Sequence, residues 1–225
     1  MIQISNVSKR YSIHQVLKQC NMTIEKGKIV GLIGENGCGK TTLLKVLAGI
    51  LRPNHGRIDG IHENDRSRFI SYSPDNSYFY PYFTIEALMD FYQDVYEDFD
   101  RDRAESLLHF FELEKKQKIR HLSKGQAGRV KILITIARRA PLLMLDEPLA
   151  GLDPMVKQKI IKSLIQFIDL EQQTLLMTTH ELMEVEPLLD DVVVMKHGTI
   201  IEQSSVESIR ENDMVSLQQW LENTY

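Results

Sequence analysis

Only two cysteines, Cys20 and Cys38, occur in 225 residues, and no leader-like apolar run precedes them, so the chain reads as cytosolic and reduced. Met1 runs instead into Ile2, Gln3 and Ile4, which alternate as a strand does. No stretch approaches the roughly 20 unbroken apolar residues of a membrane helix. Even residues 131–144 are cut by charge and by Pro141, so any membrane role is expected through a partner. Positive charge is scarce too: the formal net charge is −4, which argues against a broad nucleic-acid surface. Repeats and low-complexity tracts are missing, and a hydrophobic fraction of 43% suits one sizeable core with a small inserted subdomain. Little chain follows Glu202, and no added regulatory domain is expected there.

What is present is a rhythm of strands and helices. Ile2, Ile4 and Val7, then Met22–Ile24, then the continuous run Ile29–Ile33 read as strands, the last of them buried. Leu43, Leu44, Val46, Leu47 and Ile50 recur at helical spacing, with Gly49 and Pro53 as the stop. Gly56–Gly60 looks like a hairpin, and Phe69–Ser73 like another strand. Composition changes at Pro74: Tyr78, Phe79, Tyr80, Tyr82 and Phe83 crowd ahead of an acidic stretch holding Asp90, Asp94, Glu97, Asp98, Asp100 and Asp102. Residues 84–139 read as an inserted helical subdomain, with 1–83 and 140–225 forming the remainder. Strand Leu142–Leu145, helix Pro154–Ile168, strands Thr174–Thr178 and Val192–Met195, a hairpin at Lys196–Gly198 and strand Thr199–Glu202 follow. This order predicts a mainly parallel sheet covered by helices. Val156, Ile160, Ile161, Leu164, Ile165 and Ile168 form the expected core stripe of the long helix.

Gly34-Glu35-Asn36-Gly37-Cys38-Gly39-Lys40-Thr41 fits G-x-x-x-x-G-K-[ST] and stands where such a loop belongs, after a buried strand and before an amphipathic helix. Its glycines let the backbone wrap a phosphate chain with N–H groups at a helix start. Lys40 adds a fixed positive charge, and Thr41 can offer its hydroxyl to Mg²⁺. Cys38 reads as a small loop residue without redox duty.

Asp146 and Glu147 end the apolar run Leu142–Leu145, which places two carboxylates at the edge of the sheet where open α/β folds bind ligands. Such a pair can divide the labour, Asp146 holding Mg²⁺ and Glu147 polarising the attacking water. His180 closes another strand at the same edge, where an imidazole can reach the terminal phosphate. His14, His55, His62, His109, His121 and His197 read as solvent or turn residues. In Ala150–Pro154, Asp153 is placed to cap a helix with Pro154 at its first position. One helix upstream of the acidic strand lies Leu122-Ser123-Lys124-Gly125-Gln126. A serine-started helix of this kind supplies a second phosphate site, offered to a neighbouring molecule.

Taken in order, these motifs resemble the nucleotide-binding subunits of ATP-binding cassette (ABC) transporters over nearly the full chain. The resemblance implies an α/β P-loop NTPase core with an antiparallel β edge and an inserted helical subdomain, and two copies closing head to tail around two ATP molecules. It assigns Tyr11 to stacking on adenine with Val16 nearby, and Gly34, Glu35, Asn36, Gly37, Cys38, Gly39, Lys40, Thr41 and Thr42 to the phosphates. Asp146 and Glu147 take metal and catalysis and His180 the γ-phosphate, while Ser123, Gly125 and Gln126 form the signature loop reaching the partner's ATP. The chain departs from the family twice: Lys124 stands where glycine is usual in the signature, and Asp75 where glutamine is usual in the loop after Ile70–Ser73. Asp75 is expected to meet Mg²⁺ through water, and Tyr78–Phe83 with the acids behind them to line a groove for a membrane subunit. The implied function is an ATP-hydrolysing subunit, peripheral on the inner membrane face, that drives export. It would do so with a transmembrane permease and a second ATPase subunit, identical or related, and without nucleic acid. The segment Phe91–Asp100 and the short C-terminus carry the preference for export. A soluble ABC ATPase acting as a mechanical switch is the alternative.

Overall fold

The structure, a computed structural model, describes residues 1–76, 79–212 and 216–224. Strands β1 (Ile2–Tyr11) and β2 (His14–Ile24) form an antiparallel hairpin with register breaks at Ile4/Val7 and Val7/Lys9. β2 is thus far longer than the Met22–Ile24 run legible from its apolar residues. Central strand β3 (Ile29–Ile33) leads through the glycine-rich turn into α1 (Lys40–Leu47). That helix ends at Gly49, whose φ of 77° is the left-handed conformation glycine adopts without a Cβ penalty. Ile50 therefore falls beyond the helix and is 59% exposed, not core. The segment read as a hairpin is β4 (His55–Asp59), which pairs antiparallel with β1 and closes a three-stranded sheet in the order β2-β1-β4.

After the short α2 (Arg66–Phe69) comes β5 (Ile70–Ser73), and the chain then leaves the sheet for α3 (Ile85–Val95), α4 (Arg101–Phe110) and α5 (Lys124–Ile136). It returns in β6 (Leu142–Leu145), directly beside β5 and parallel to it. α6 (Pro154–Phe167), β7 (Thr174–Thr179), α7 (Leu182–Val185), β8 (Asp191–Lys196), β9 (Thr199–Ser205), α8 (Val206–Asn212) and α9 (Leu217–Thr224) complete the fold. The second sheet runs β5-β6-β7-β3-β8-β9, parallel except for the antiparallel edge strand β9.

Alternation along the central strands builds two cores. Val30, Leu32, Leu142, Met144 and Leu176 face α1 and the three-stranded sheet. Their neighbours Ile29, Ile33, Leu143, Leu145, Leu175 and Met177 face the helices α3–α6. Each such fully buried Leu, Ile or Met contributes about 1.5–3 kcal/mol over leaving it exposed. Along α6, Ile160 and Leu164 are buried, whereas Ile165 is 63% exposed, so the stripe expected from spacing is narrower than the apolar residues suggest.

Arg138, just past α5, ties the helical stretch back to the sheet. Its guanidinium donates to Asp98 at 2.9 Å and to the carbonyls of Ile70 and Ser67, and it lies 3.8 Å from the Tyr96 ring centroid. Asp98 is therefore committed internally. Asp100 caps α4 through the Arg103 N–H and pairs with Arg139, and Asp90 pairs with Arg101 at 2.6 Å. Three of the acids expected in a docking groove are thus used within the fold. The aromatic cluster also divides: Phe79 and Phe83 pack against the core, Tyr80 and Tyr82 are 58% and 74% exposed, and Tyr78 lies outside the described residues.

Candidate functional site

The loop between β3 and α1 is shaped by positions that accept only glycine. A Cβ on Gly34 would stand 2.3 Å from the Met195 carbonyl oxygen and 2.7 Å from the Cys38 sulfur, so the loop passes tight over β8. Gly37 and Gly39 have φ values of 82° and 116°. Gly39 is the N-cap of α1 and supplies no side-chain acceptor, so the first amides of that helix meet no capping side chain and are placed to take an anion. Glu35, Asn36 and Gly37 are exposed at the rim, and Cys38 is buried against Gly34. Burial pushes the Cys38 thiol above its ordinary value, in keeping with a packing role.

Lys40 is 5% exposed and folds back under the loop, donating to the carbonyls of Gly34 at 2.6 Å and Glu35 at 3.2 Å. Its ammonium also lies 3.3 Å from Glu147 Oε1. Parallel pairing of β3 with β7 and of β7 with β6 brings the ends of these strands level. Asp146, Glu147 and His180, remote in sequence, thereby converge beside the loop. Asp146 is 1% exposed; its Oδ1 accepts from the hydroxyls of Thr41 at 3.1 Å and Thr178 at 2.9 Å, and its Oδ2 from Tyr72 at 3.2 Å. Thr41 and Asp146 thus present hard oxygen donors to one point. This set fits Mg²⁺, which keeps one or two protein oxygens and fills its remaining positions with phosphate oxygens and water.

Glu147 has φ 48°, a left-handed backbone uncommon for a residue with a side chain. Its N–H donates to Thr178 Oγ1 at 2.8 Å, and its Oε2 lies 2.8 Å from His180 Nδ1. Among the described residues, Oε1 is buried without a hydrogen-bond partner and lies 3.3 Å from the Lys40 ammonium. A buried carboxylate oxygen left in this state is a ready acceptor for a water or substrate proton. Sequence alone does not single out Tyr72 or Thr178; the available signal for Thr178 is the pair Thr178–Thr179 that ends the apolar run Leu175–Met177.

Other candidate residues lie apart from this cluster. Tyr11, 44% exposed, ends β1, and Val16 sits on β2 with its carbonyl 3.1 Å from where a Gly39 Cβ would be, so β2 flanks the loop. Thr42 is in the first turn of α1. Asp75 is exposed after β5, its carbonyl accepting from Lys131 at 2.6 Å, and no hydrogen bond or ion pair among the described residues joins its carboxylate to Thr41 or Asp146. Ser123 does start α5. Its Oγ accepts from the Gln126 N–H at 3.2 Å and Gln126 Oε1 accepts from the Ser123 N–H at 2.9 Å, a complete capping box. Gly125 packs closely on α6, where an added Cβ would meet Val156 at 3.2 Å. Among the described residues, no hydrogen bond or ion pair joins Ser123, Gly125 or Gln126 to residues 34–42. Asp153 caps α6 through the Val156 N–H at 3.0 Å with Pro154 in the first turn, as expected.

Comparison with known proteins agrees with this geometry. The family profile described as "ABC transporter" matches residues 17–150. The ABC transporter ATP-binding protein YtrB of Bacillus subtilis is 29% identical over 216 residues, covering 94% of this chain and 74% of that protein. A probable sulfate/thiosulfate import ATP-binding protein CysA of Chlorella vulgaris is 31% identical over 221 residues, covering 94% of both. Among solved structures, an ATP-binding subunit of an ABC transporter superposes over 100% of this chain and 99% of its own with a TM-score of 0.88 at 25% identity. The dimeric post-hydrolysis cassette MJ0796 bound to ADP and Pi covers 91% of this chain and 98% of its own with a TM-score of 0.79 at 23% identity, a likeness of fold. With its phosphate loop, its acidic strand end and these relatives in place, the chain belongs to the ABC transporter family as an ATP-binding, ATP-hydrolysing subunit.

Proposed function

We propose that two copies of this chain, or one copy and a related subunit, sandwich ATP and hydrolyse it to drive export through a separate transmembrane permease at the inner face of the membrane. The observation that carries the hydrolytic part is Glu147 Oε1, buried, 3.3 Å from the Lys40 ammonium and without a hydrogen bond among the described residues.

In this reading the triphosphate enters the turn 34–42, where the amides opening α1 bind its oxygens and Lys40 exchanges the carbonyls of Gly34 and Glu35 for the outer phosphates. Tyr11 stacks on adenine beside Val16. Thr41 and Asp146 would hold Mg²⁺, which would supply positive charge against the phosphates. Glu147 Oε1 takes a proton from water as its oxygen bonds to the γ-phosphorus and the bond to ADP breaks. With both ring nitrogens carrying a proton, His180 donates through Nδ1 to the other carboxylate oxygen, and Nε2, 3.9 Å from Glu181 Oε1, donates to the γ-phosphate. Ser123, Gly125 and Gln126 of the opposing subunit close the site, carried on a signature subdomain spanning 84–139. Exposed Tyr80 and Tyr82 supply the docking surface for the permease.

Glu147→Gln should lower ATP turnover by at least about a hundredfold, the scale of a lost general base, while ATP stays bound; a variant turning over at the parental rate would remove Glu147 from this role. Import is the competing direction, favoured by the name of the CysA relative. In inverted membrane vesicles carrying the complex, external ATP should load cargo into the lumen, and changing Tyr80 and Tyr82 together to serine should stop it with ATP binding intact. ATP-driven emptying would reverse the direction. A membrane pull-down that recovers no hydrophobic polypeptide would instead favour the soluble switch.

A further inference from the structure

Lys131 stands among buried residues: Val130, Ile132, Leu133 and Ile134 flank it on α5, and its own side chain is half-buried. Its ammonium donates to the carbonyl of Asp75 at 2.6 Å. Both residues line a cavity of about 320 Å³ that also reaches Glu147 and Lys124. Burial draws the Lys131 ammonium below the ordinary lysine value, and the carboxylates of Asp75 and Asp146 oppose that shift, so these are the charges it faces. An acid at 75 adds a negative charge to a site that already contains Asp146 and Glu147 and that receives an anionic triphosphate. A neutral glutamine there would need no counter-charge.

We infer that Lys131 is a positioning residue of the hydrolytic site: it anchors the Asp75 carbonyl and supplies the positive charge that lets an acid stand at position 75 beside Glu147. The inference rests on the hydrolytic reading above. It makes Asp75 and Lys131 a matched pair, joined across the loop after β5 and the middle of α5. A merely structural lysine would matter only through the backbone carbonyl it holds, and the side chain at 75 would then be irrelevant to its loss.

That distinction sets the test. Lys131→Met should lower kcat by about tenfold or more while the affinity for ATP changes by less than about twofold. Lys131→Arg should recover most of the rate, and the double variant Asp75→Gln/Lys131→Met should regain much of what the single Lys131→Met loses. If Lys131→Met does not fold, as judged by its melting temperature, Lys131→Gln keeps a donor for the carbonyl without the charge and should show the same loss and the same rescue. A parental rate for the uncharged variants, or a double variant as slow as the single one, overturns the inference. ATP retention by Glu147→Gln, measured alongside, separates the two readings: its failure strikes the hydrolytic assignment, not the pairing.

Discussion

Two helix starts in this molecule face opposite demands. At α1 the N-cap is a glycine with no acceptor of its own, the flanking walls are buried, and the nearest cation is folded under the loop. At α5 the N-cap is an exposed serine, and the capping box answers the Ser123 and Gln126 N–H groups, while those of Lys124 and Gly125 have no hydrogen-bond partner among the described residues. Both ends carry the positive pole of a helix dipole. Only α1 has no capping side chain at all, and only α1 has the Asp146 and Glu147 carboxylates beside it. The first is thus a complete half-site within one chain. The second is preorganised by its capping box and turned to solvent, with the first helical amides left for a ligand met on assembly. The capping box fixes the Ser123 Oγ while leaving its hydroxyl proton free to be donated.

Breaking the α1 half should have the largest consequence. Gly34→Ala forces a Cβ to 2.3 Å from a backbone oxygen, which has no flexible end to yield. Overpacking of this kind costs about 1–3 kcal/mol, and nucleotide binding by the variant should fall by at least about tenfold in a titration with a fluorescent ATP analogue. Parental affinity would mean that the loop is not built as described. Breaking the α5 half should be milder and selective. Ser123→Ala removes the cap, about 1 kcal/mol of helix stability, and should leave ATP binding by the separate subunit unchanged while ATP-dependent association weakens. If binding and association fell together, the two helix starts would not be separable as claimed.

Legibility followed distance along the chain. The turn 34–42 with its flanking strand and helix, the serine start of α5 and the Asp153–Pro154 start of α6 could be read in place, because each is a contiguous stretch whose chemistry is local. Asp146, Glu147 and His180 were legible as strand ends. Their mutual contacts were not, since they depend on a parallel register between β6 and β7 that no local pattern encodes. The same reason hid Tyr72 and Thr178, which hold Asp146 from neighbouring strands. β4 was misread as a hairpin because its partner is β1, some fifty residues earlier. Ile50 and Ile165 were misplaced because spacing reports a face of a helix, whereas burial depends on where the helix ends and what covers it. Asp75 is visible as a departure in sequence, but its tie to Lys131 appears only once α5 is laid beside the loop after β5.

The central claim is that nucleotide is gripped by α1 of one subunit and α5 of another. The direct measurement is the mass in solution, by sedimentation or light scattering, of the Glu147→Gln protein with Mg²⁺ and ATP. The account predicts a species of twice the 26.0 kDa chain mass that returns to single chains when ATP is withdrawn. A protein that binds ATP and remains a single chain at high concentration, alone, with a related ATPase subunit and with its membrane partner supplied, would contradict it.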